Sequence, residues 1–394
     1  MTRVCVVGGG RAGLSACAEA ATNGDEVSLF ERGPLSGSEG HVAMLESQGV
    51  QIRTEEPVLS VGASYMATPR GSVAFDSVVI ATGCRPLRRP FPGHKKAGVI
   101  LLDHPDSLIE KGMDRPGAHR VVVSGSGLPA LRVADRLAVA GRRVTLLTNR
   151  PAPQAFLNPE VSSQLRGAAE ERGVSILDSE LARVLGLEEV EAVLAGGSLI
   201  PCDLLVIVPA MVPNVPMVQA EQDSSGAILV DSLLKAGSPG VFAAGECACL
   251  RPDGISHGII PASAARSSGR VAGANASGQR VHFRLHLGFE AEVFGVRLTS
   301  VGMSLEEATG EGFDPREVRM STAEGLCLIV YDRRDSGVLG AQLVGRPGAK
   351  VLEFLSQAVS QRAPLAALAY QGAWDSTDIS LVSETAREGL RRAQ

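Results

Sequence analysis

Four consecutive apolar residues, Val4 to Val7, follow a short polar start and run directly into a glycine cluster. A run of this kind, bounded by turn residues, predicts a short strand buried on both faces. An Ala-rich stretch after Gly13 predicts a helix, and Val27 to Phe30 predict a second strand that ends on the acidic Glu31. The same grammar returns further on. Arg120 to Ser124 read as a strand, Gly125 to Ala130 as a Gly-x-Gly-x-x-Ala turn, the following residues through Ala140 as a helix, and Arg143 to Leu147 as another strand. Further buried strands are predicted at Val78 to Ile80, Leu204 to Pro209 and Val241 to Ala244, with a helix beginning just after Pro261. From about Val281 the texture changes. Leu326 to Asp332 and Val338 to Val344 predict antiparallel strands joined by an Asp335-Ser336-Gly337 turn, with helices at Val351 to Gln361 and Pro364 to Leu368.

The first unit carries chemistry. Gly8, Gly10 and Gly13 fill the Gly-x-Gly-x-x-Gly pattern between strand and helix. The first glycine permits the tight turn, the second lets a pyrophosphate approach the backbone, and the third lets helix and strand pack closely. The helix N-terminus presents unpaired N–H groups and a partial positive charge to phosphates, with Arg11 and Ala12 in its first turn. Glu31 accepts hydrogen bonds from both ribose hydroxyls, charge-assisted bonds worth about 1.5–3 kcal/mol each, and repels a 2′-phosphate. Strand, glycines, helix, strand and acid in register make a dinucleotide-binding unit.

Composition sets outer bounds. A chain of 394 residues, 44% hydrophobic and 21% charged, has room for two or three domains. Its net charge of −5 disfavours nucleic acid and anionic membrane as partners. No apolar run approaches the ~20 residues of a membrane helix. With no leader read before the first strand, the expected location is the cytoplasm. Seven cysteines, at 5, 17, 84, 202, 247, 249 and 327, form neither a Cys-x-x-Cys pair nor a zinc-ligand spacing, so no metal is expected.

The order of Gly-rich unit, Ala81-Thr82-Gly83, second Gly-rich unit, Ala244-Gly245-Glu246 and antiparallel C-terminal region resembles the pyridine nucleotide–disulfide oxidoreductase family. Phe294-Gly295-Val296, Leu305-Glu306-Glu307-Ala308 and the stretch from Leu368 to Asp375 resemble its branch of NADH oxidases and coenzyme A-disulfide or persulfide reductases. The resemblance implies an α/β fold with two Rossmann-like dinucleotide-binding domains and a C-terminal α+β dimerisation domain. It divides the chain into a discontinuous FAD domain (residues 1–92 and 216–280), a degenerate NAD(P)-binding-like domain (93–215) and an interface domain (281–394) that forms a homodimer. The FAD-contacting residues it implies are Gly8, Gly10, Arg11, Ala12, Gly13, Glu31, Arg32, Val58, Ala81, Thr82, Gly83, Gly245, Glu246, Pro261, Ala262 and Ser263. Glu246 stands where relatives usually carry Asp at the ribityl chain. The first-turn amides of Ala262 and Ser263 would face the flavin N1–C2=O edge.

Two departures bear on chemistry. Disulfide reductases of this family place a thiol over the flavin shortly after the first acid, yet Pro34 to Met44 contains no cysteine. The segment from His41 to Thr82 is also short for the family. In the second unit, Pro129 removes an N–H, Arg132 replaces a usual Glu, and Ala210-Met211-Val212-Pro213-Asn214 lacks the Gly and Arg of the family's turn. Thr148-Asn149-Arg150 supply no ribose-binding acid, and Arg150 favours NADPH if a nicotinamide binds at all. Glu39 and His41 lie where the missing cysteine would be and are candidate bases, although a solvated acid and a surface histidine fit the same residues. Tyr370, with Trp374, resembles a segment reaching the partner subunit's flavin, although a Trp that fills the dimer interface fits the same residues. His257 is a further candidate base.

These readings predict an FAD-dependent oxidase or dehydrogenase that takes a hydride from a small organic substrate, free or held on a carrier or assembly-line protein, with oxygen as reoxidant. An NAD(P)H-dependent flavin reductase or oxidase and a non-catalytic FAD-containing partner protein stay open beside it.

Overall fold

The computed structural model describes residues 1–35, 39–88, 90–102, 117–148, 157–251, 260, 264–284, 288–323, 325–345, 349–370 and 377–393. These pack into two compact units, Met1–Arg85 with Met211–Leu285 and Pro86–Ala210 with His286–Gln394. The fold is mixed α/β, with a parallel Rossmann-like sheet in each unit and an antiparallel C-terminal sheet in the second. No described helix is long and apolar enough to cross a membrane.

In the first unit, β1 (Arg3–Val7) is central. It pairs in parallel with β2 (Glu26–Phe30) on one side and Ser77–Ile80 on the other, with β3 (Gln51–Arg53) and Val241–Ala243 at the edges. Helix α1 (Arg11–Thr22) follows β1 and packs on the helix Ala265–Ala276. Small residues make that contact close. A Cβ on Gly269 would stand 2.8 Å from Ala12 Cα, and one on Gly273 would stand 2.5 Å from the Ala16 carbonyl oxygen. Backbones at this separation leave no room for a larger side chain.

The second unit repeats the plan. Arg120–Ser124 is central between Arg143–Thr148 and Leu204–Ile207, with Val174–Asp178 and Val99–Leu101 outside, all parallel. An arginine–aspartate clamp recurs at the same point of each sheet. Asp76, just before its strand, accepts hydrogen bonds from the Arg3 N–H and guanidinium, and Asp203 does the same for Arg120. The hydrogen bonds from each arginine side chain hold its partner's carboxyl low, at about 2 for both Asp76 and Asp203. A carboxyl whose pKa is depressed on folding adds stability above its unfolded pKa of about 3.9, and that stability is lost as pH falls through the folded value. The double variant Asp76→Asn/Asp203→Asn is therefore expected to show a shallower loss of Tm than wild type between about pH 4 and pH 2. Melting curves collected across that window check it, and parallel slopes would contradict it.

The C-terminal sheet runs Gly288–Val293, Val296–Gly302, Val338–Gly345, Gly325–Asp332, Pro315–Thr322, antiparallel throughout. Both faces are covered. Cys327, Ile329, Ala341 and Leu343 pack under Val351, Leu355, Leu368 and Val382. On the other face, Leu298, Leu326, Leu328 and Val344 meet Leu157, Val161 and Leu165, the last two from the helix Pro159–Glu171. Double coverage explains why the two inner strands Gly325–Asp332 and Val338–Gly345 read as apolar runs rather than as an alternation. The expected turn is present: Ser336 has φ +59° and Asp335 Oδ1 accepts from the Gly337 N–H at 2.9 Å.

Candidate dinucleotide-binding site

A cavity of about 400 Å³ opens beyond the C-terminal ends of β1, β2 and Ser77–Ile80. Strand order reverses at β1, and open α/β sheets bind ligands at such a switch point. The lining includes Gly8, Gly10, Glu31, Arg32, Val58, Ala81, Thr82 and Gly83, all expected from sequence, together with Phe30, Pro57, Asn214, Val215 and Pro216.

The glycine loop shapes one wall. Gly8 has φ +104°, and a Cβ there would lie 2.8 Å from the Ala81 carbonyl carbon, so strand and turn meet only because it has none. Gly13 seats against the Gly8 carbonyl. A Cβ on Gly10 would meet no protein atom within 4 Å. Gly10, the N-cap of α1, has no side chain to bond the first-turn N–H donors. Uncapped donors and open space beside Gly10 are what a pyrophosphate requires.

Glu31 stands at the rim. Its Oε2 accepts from the Gly9 N–H at 2.6 Å and its Oε1 from the Gly33 N–H at 3.1 Å. The carboxylate is thus fixed over the glycine loop. Asn214 braces the opposite side: its N–H donates to the Gly83 carbonyl at 2.9 Å and its Nδ2 to the Thr82 carbonyl at 3.4 Å. Sequence alone grouped Asn214 with the second nucleotide unit, whereas it supports the first.

Other expected residues fall elsewhere. Arg11 is exposed and Ala12 buried in the first turn of α1. Gly245 has φ +74°, a Cβ there would stand 3.0 Å from Ala12 Cβ, and its N–H donates to Ser268 Oγ at 3.1 Å. Glu246 is half-buried beside Cys84, whose thiol is pushed up to about 12, first by burial and then by the Glu246 carboxylate. Cys247 is buried and donates its thiol to the Ile80 and Ala244 carbonyls. Burial likewise raises Cys5, Cys17, Cys202 and Cys327. These five buried thiols, like Cys84, stay protonated near neutral pH. Glu39 and His41 are exposed on the first turn of α2 (Glu39–Ser47) and do not line the cavity. Tyr370 is exposed at the end of the helix Leu365–Tyr370 in the second unit. Arg150, His257, Pro261, Ala262, Ser263 and Trp374 lie outside the described residues.

At the second glycine turn, Ser126 caps the helix Gly127–Val139 without a side-chain hydrogen bond to its N–H groups. Its Oγ lies 3.3 Å from Oγ1 of buried Thr148, which ends the strand where an NAD site carries an acid.

A glycine cradle on a parallel sheet, an acid over its loop and a second copy of the same sheet define an oxidoreductase of the two-dinucleotide-domain class. Residues 2–269 match the pyridine nucleotide-disulphide oxidoreductase family, and the chain belongs to it. The family is FAD-dependent, and both FAD and NAD(P)H use are consistent with membership. Among relatives, an NADH oxidase of Streptococcus pyogenes is 24% identical over 410 residues, spanning 88% of this chain and 89% of its own length. An NAD(P)H coenzyme A polysulfide/persulfide reductase of Pyrococcus horikoshii is 26% identical over 76% of this chain and 73% of its own. The water-forming NADH oxidase of Lactobacillus brevis, solved with NADH, shares the fold with a TM-score of 0.88, 18% identity and coverage of 100% and 99%.

Proposed function

We propose that this chain is an FAD-dependent oxidase or dehydrogenase that removes a hydride from a small organic substrate, free or carried on a carrier protein, and that oxygen restores the oxidised state. One observation carries the reading: no cysteine lies between Glu31 and Gly83, so no thiol is available in that segment to relay electrons to a disulfide. Bound FAD supplies a two-electron acceptor. The protein's own part is to hold it. First-turn amides of α1 take the pyrophosphate, Glu31 takes the ribose diol, Arg32 and Val58 flank the adenine end, and Glu246 accepts from the ribityl chain. The family resemblance assigns the pyrimidine edge to Pro261, Ala262 and Ser263. Glu39 or His41 removes the substrate proton, and residues 281–394 pair two copies, bringing Tyr370 toward the partner's site.

A second reading, NAD(P)H oxidation, is supported by the similarity to the streptococcal NADH oxidase along most of both chains. Anaerobic spectroscopy separates the two. On the first reading, the yellow colour of purified protein persists for minutes after NADH or NADPH is added and is lost with a cognate organic donor. Bleaching within seconds by either nicotinamide would overturn it in favour of the second.

A further inference from the structure

We infer that Glu56 is a positioning residue for the adenosine half of the cavity, acting through Arg53 and the peptide of Glu31. The inference rests on the FAD reading above. Glu56 is only 1% exposed. Its Oε1 accepts from Thr68 Oγ1 at 2.9 Å and lies 4.0 Å from Arg53 Nη1, while Oε2 has no hydrogen bond and faces Arg70 Nη1 at 3.7 Å. A carboxylate buried this deeply costs several kcal/mol of desolvation, and an apolar residue of similar size generally does as well or better for stability. Arg70 is largely and Arg53 partly solvated, and both contacts with Glu56 are long, so the pairs return little of that cost. Stability alone gives no reason for an acid here.

Geometry gives one. The Arg53 guanidinium sits 5.1 Å above the Phe30 ring, and Phe30 lines the cavity. Arg53 and Phe30 are register partners in the β2–β3 pair. The Glu31 N–H donates to the Arg53 carbonyl and the Glu56 N–H donates to the Glu31 carbonyl, both at 2.9 Å. Glu31 is therefore held through its backbone by both members of the pair. Pro57 and Val58, the next two residues, form the adjoining wall. Charge at position 56 keeps Arg53 over Phe30, and this fixes the wall and the ribose-facing carboxylate together.

Calorimetric titration of apoprotein with FAD, ADP and FMN tests the assignment. Glu56→Gln keeps size and the Thr68 contact but removes the attraction for Arg53. It is expected to weaken FAD and ADP about tenfold, near 1.4 kcal/mol, and to leave FMN unchanged. Arg53→Met should give the same selective loss, and the double variant should be no weaker than Arg53→Met alone. Equal weakening of all three ligands, or unchanged FAD and ADP affinity in Glu56→Gln, overturns the assignment. If wild-type apoprotein takes up neither FAD nor ADP, the FAD reading itself fails and this assignment falls with it.

Discussion

Replacing Glu31 with Ala is expected to weaken FAD binding roughly a hundredfold, so that the protein purifies largely colourless. The carboxylate offers two charge-assisted hydrogen bonds to a ribose diol, each worth about 1.5–3 kcal/mol, and nothing else described at that rim carries a negative charge with the same reach. In the free protein the same oxygens hold the Gly9 and Gly33 amides, so the substitution also loosens the loop that faces the pyrophosphate. Glu31→Gln keeps the shape and loses the charge, and should fall between wild type and Ala. Fluorescence titration of FAD against the three apoproteins measures the series. A change below about threefold for Ala would remove Glu31 from the ribose site.

Gly269→Val should lower Tm by about 2–12 °C and release flavin as well. A valine must displace α1, because the added Cβ alone would overlap the Ala12 backbone. Overpacking of this kind costs about 1–3 kcal/mol, and for a unit of this size each kcal/mol lowers Tm by about 2–4 °C. The displaced helix carries the first-turn amides of the cradle, so cofactor loss should accompany the melting shift. Gly40→Ala is the matched control: it lies on α2 with open space around it, and its Tm should stay within about 2 °C of wild type. Scanning calorimetry of both variants, with visible absorbance of the same samples, tests the pair. Equal melting temperatures would show that α1 and its neighbour tolerate separation.

The parallel sheets were legible because buried strands are written as contiguous apolar runs, and Val4–Val7 or Leu204–Ile207 admit little else. The cradle was legible because its glycines, helix and acid lie within one short stretch. Contacts made across long separations were not. Asp76 and Asp203 find arginines 73 and 83 residues away, and neither aspartate differs in sequence from a loop acid. Pro57, Val215 and Pro216 join the cavity wall through tertiary packing, with no local pattern to mark them. The candidacy of Glu39 and His41 rests on analogy with a missing sulfur. In the structure α2 turns only Leu45 fully inward and leaves its first turn exposed. Glu56 carries no local signal, since an acid beside Glu55 and a proline reads as a solvated loop.

The antiparallel C-terminal sheet, sandwiched between helices and the side chains around Leu157, limits how two copies could associate through this region. Face-to-face stacking of sheets is blocked, because each broad surface is already occupied. Among the described residues, the surfaces left for self-association there are helix exteriors and the outer strands Gly288–Val293 and Pro315–Thr322, whose outer edges would add backbone hydrogen bonds rather than a sheet face.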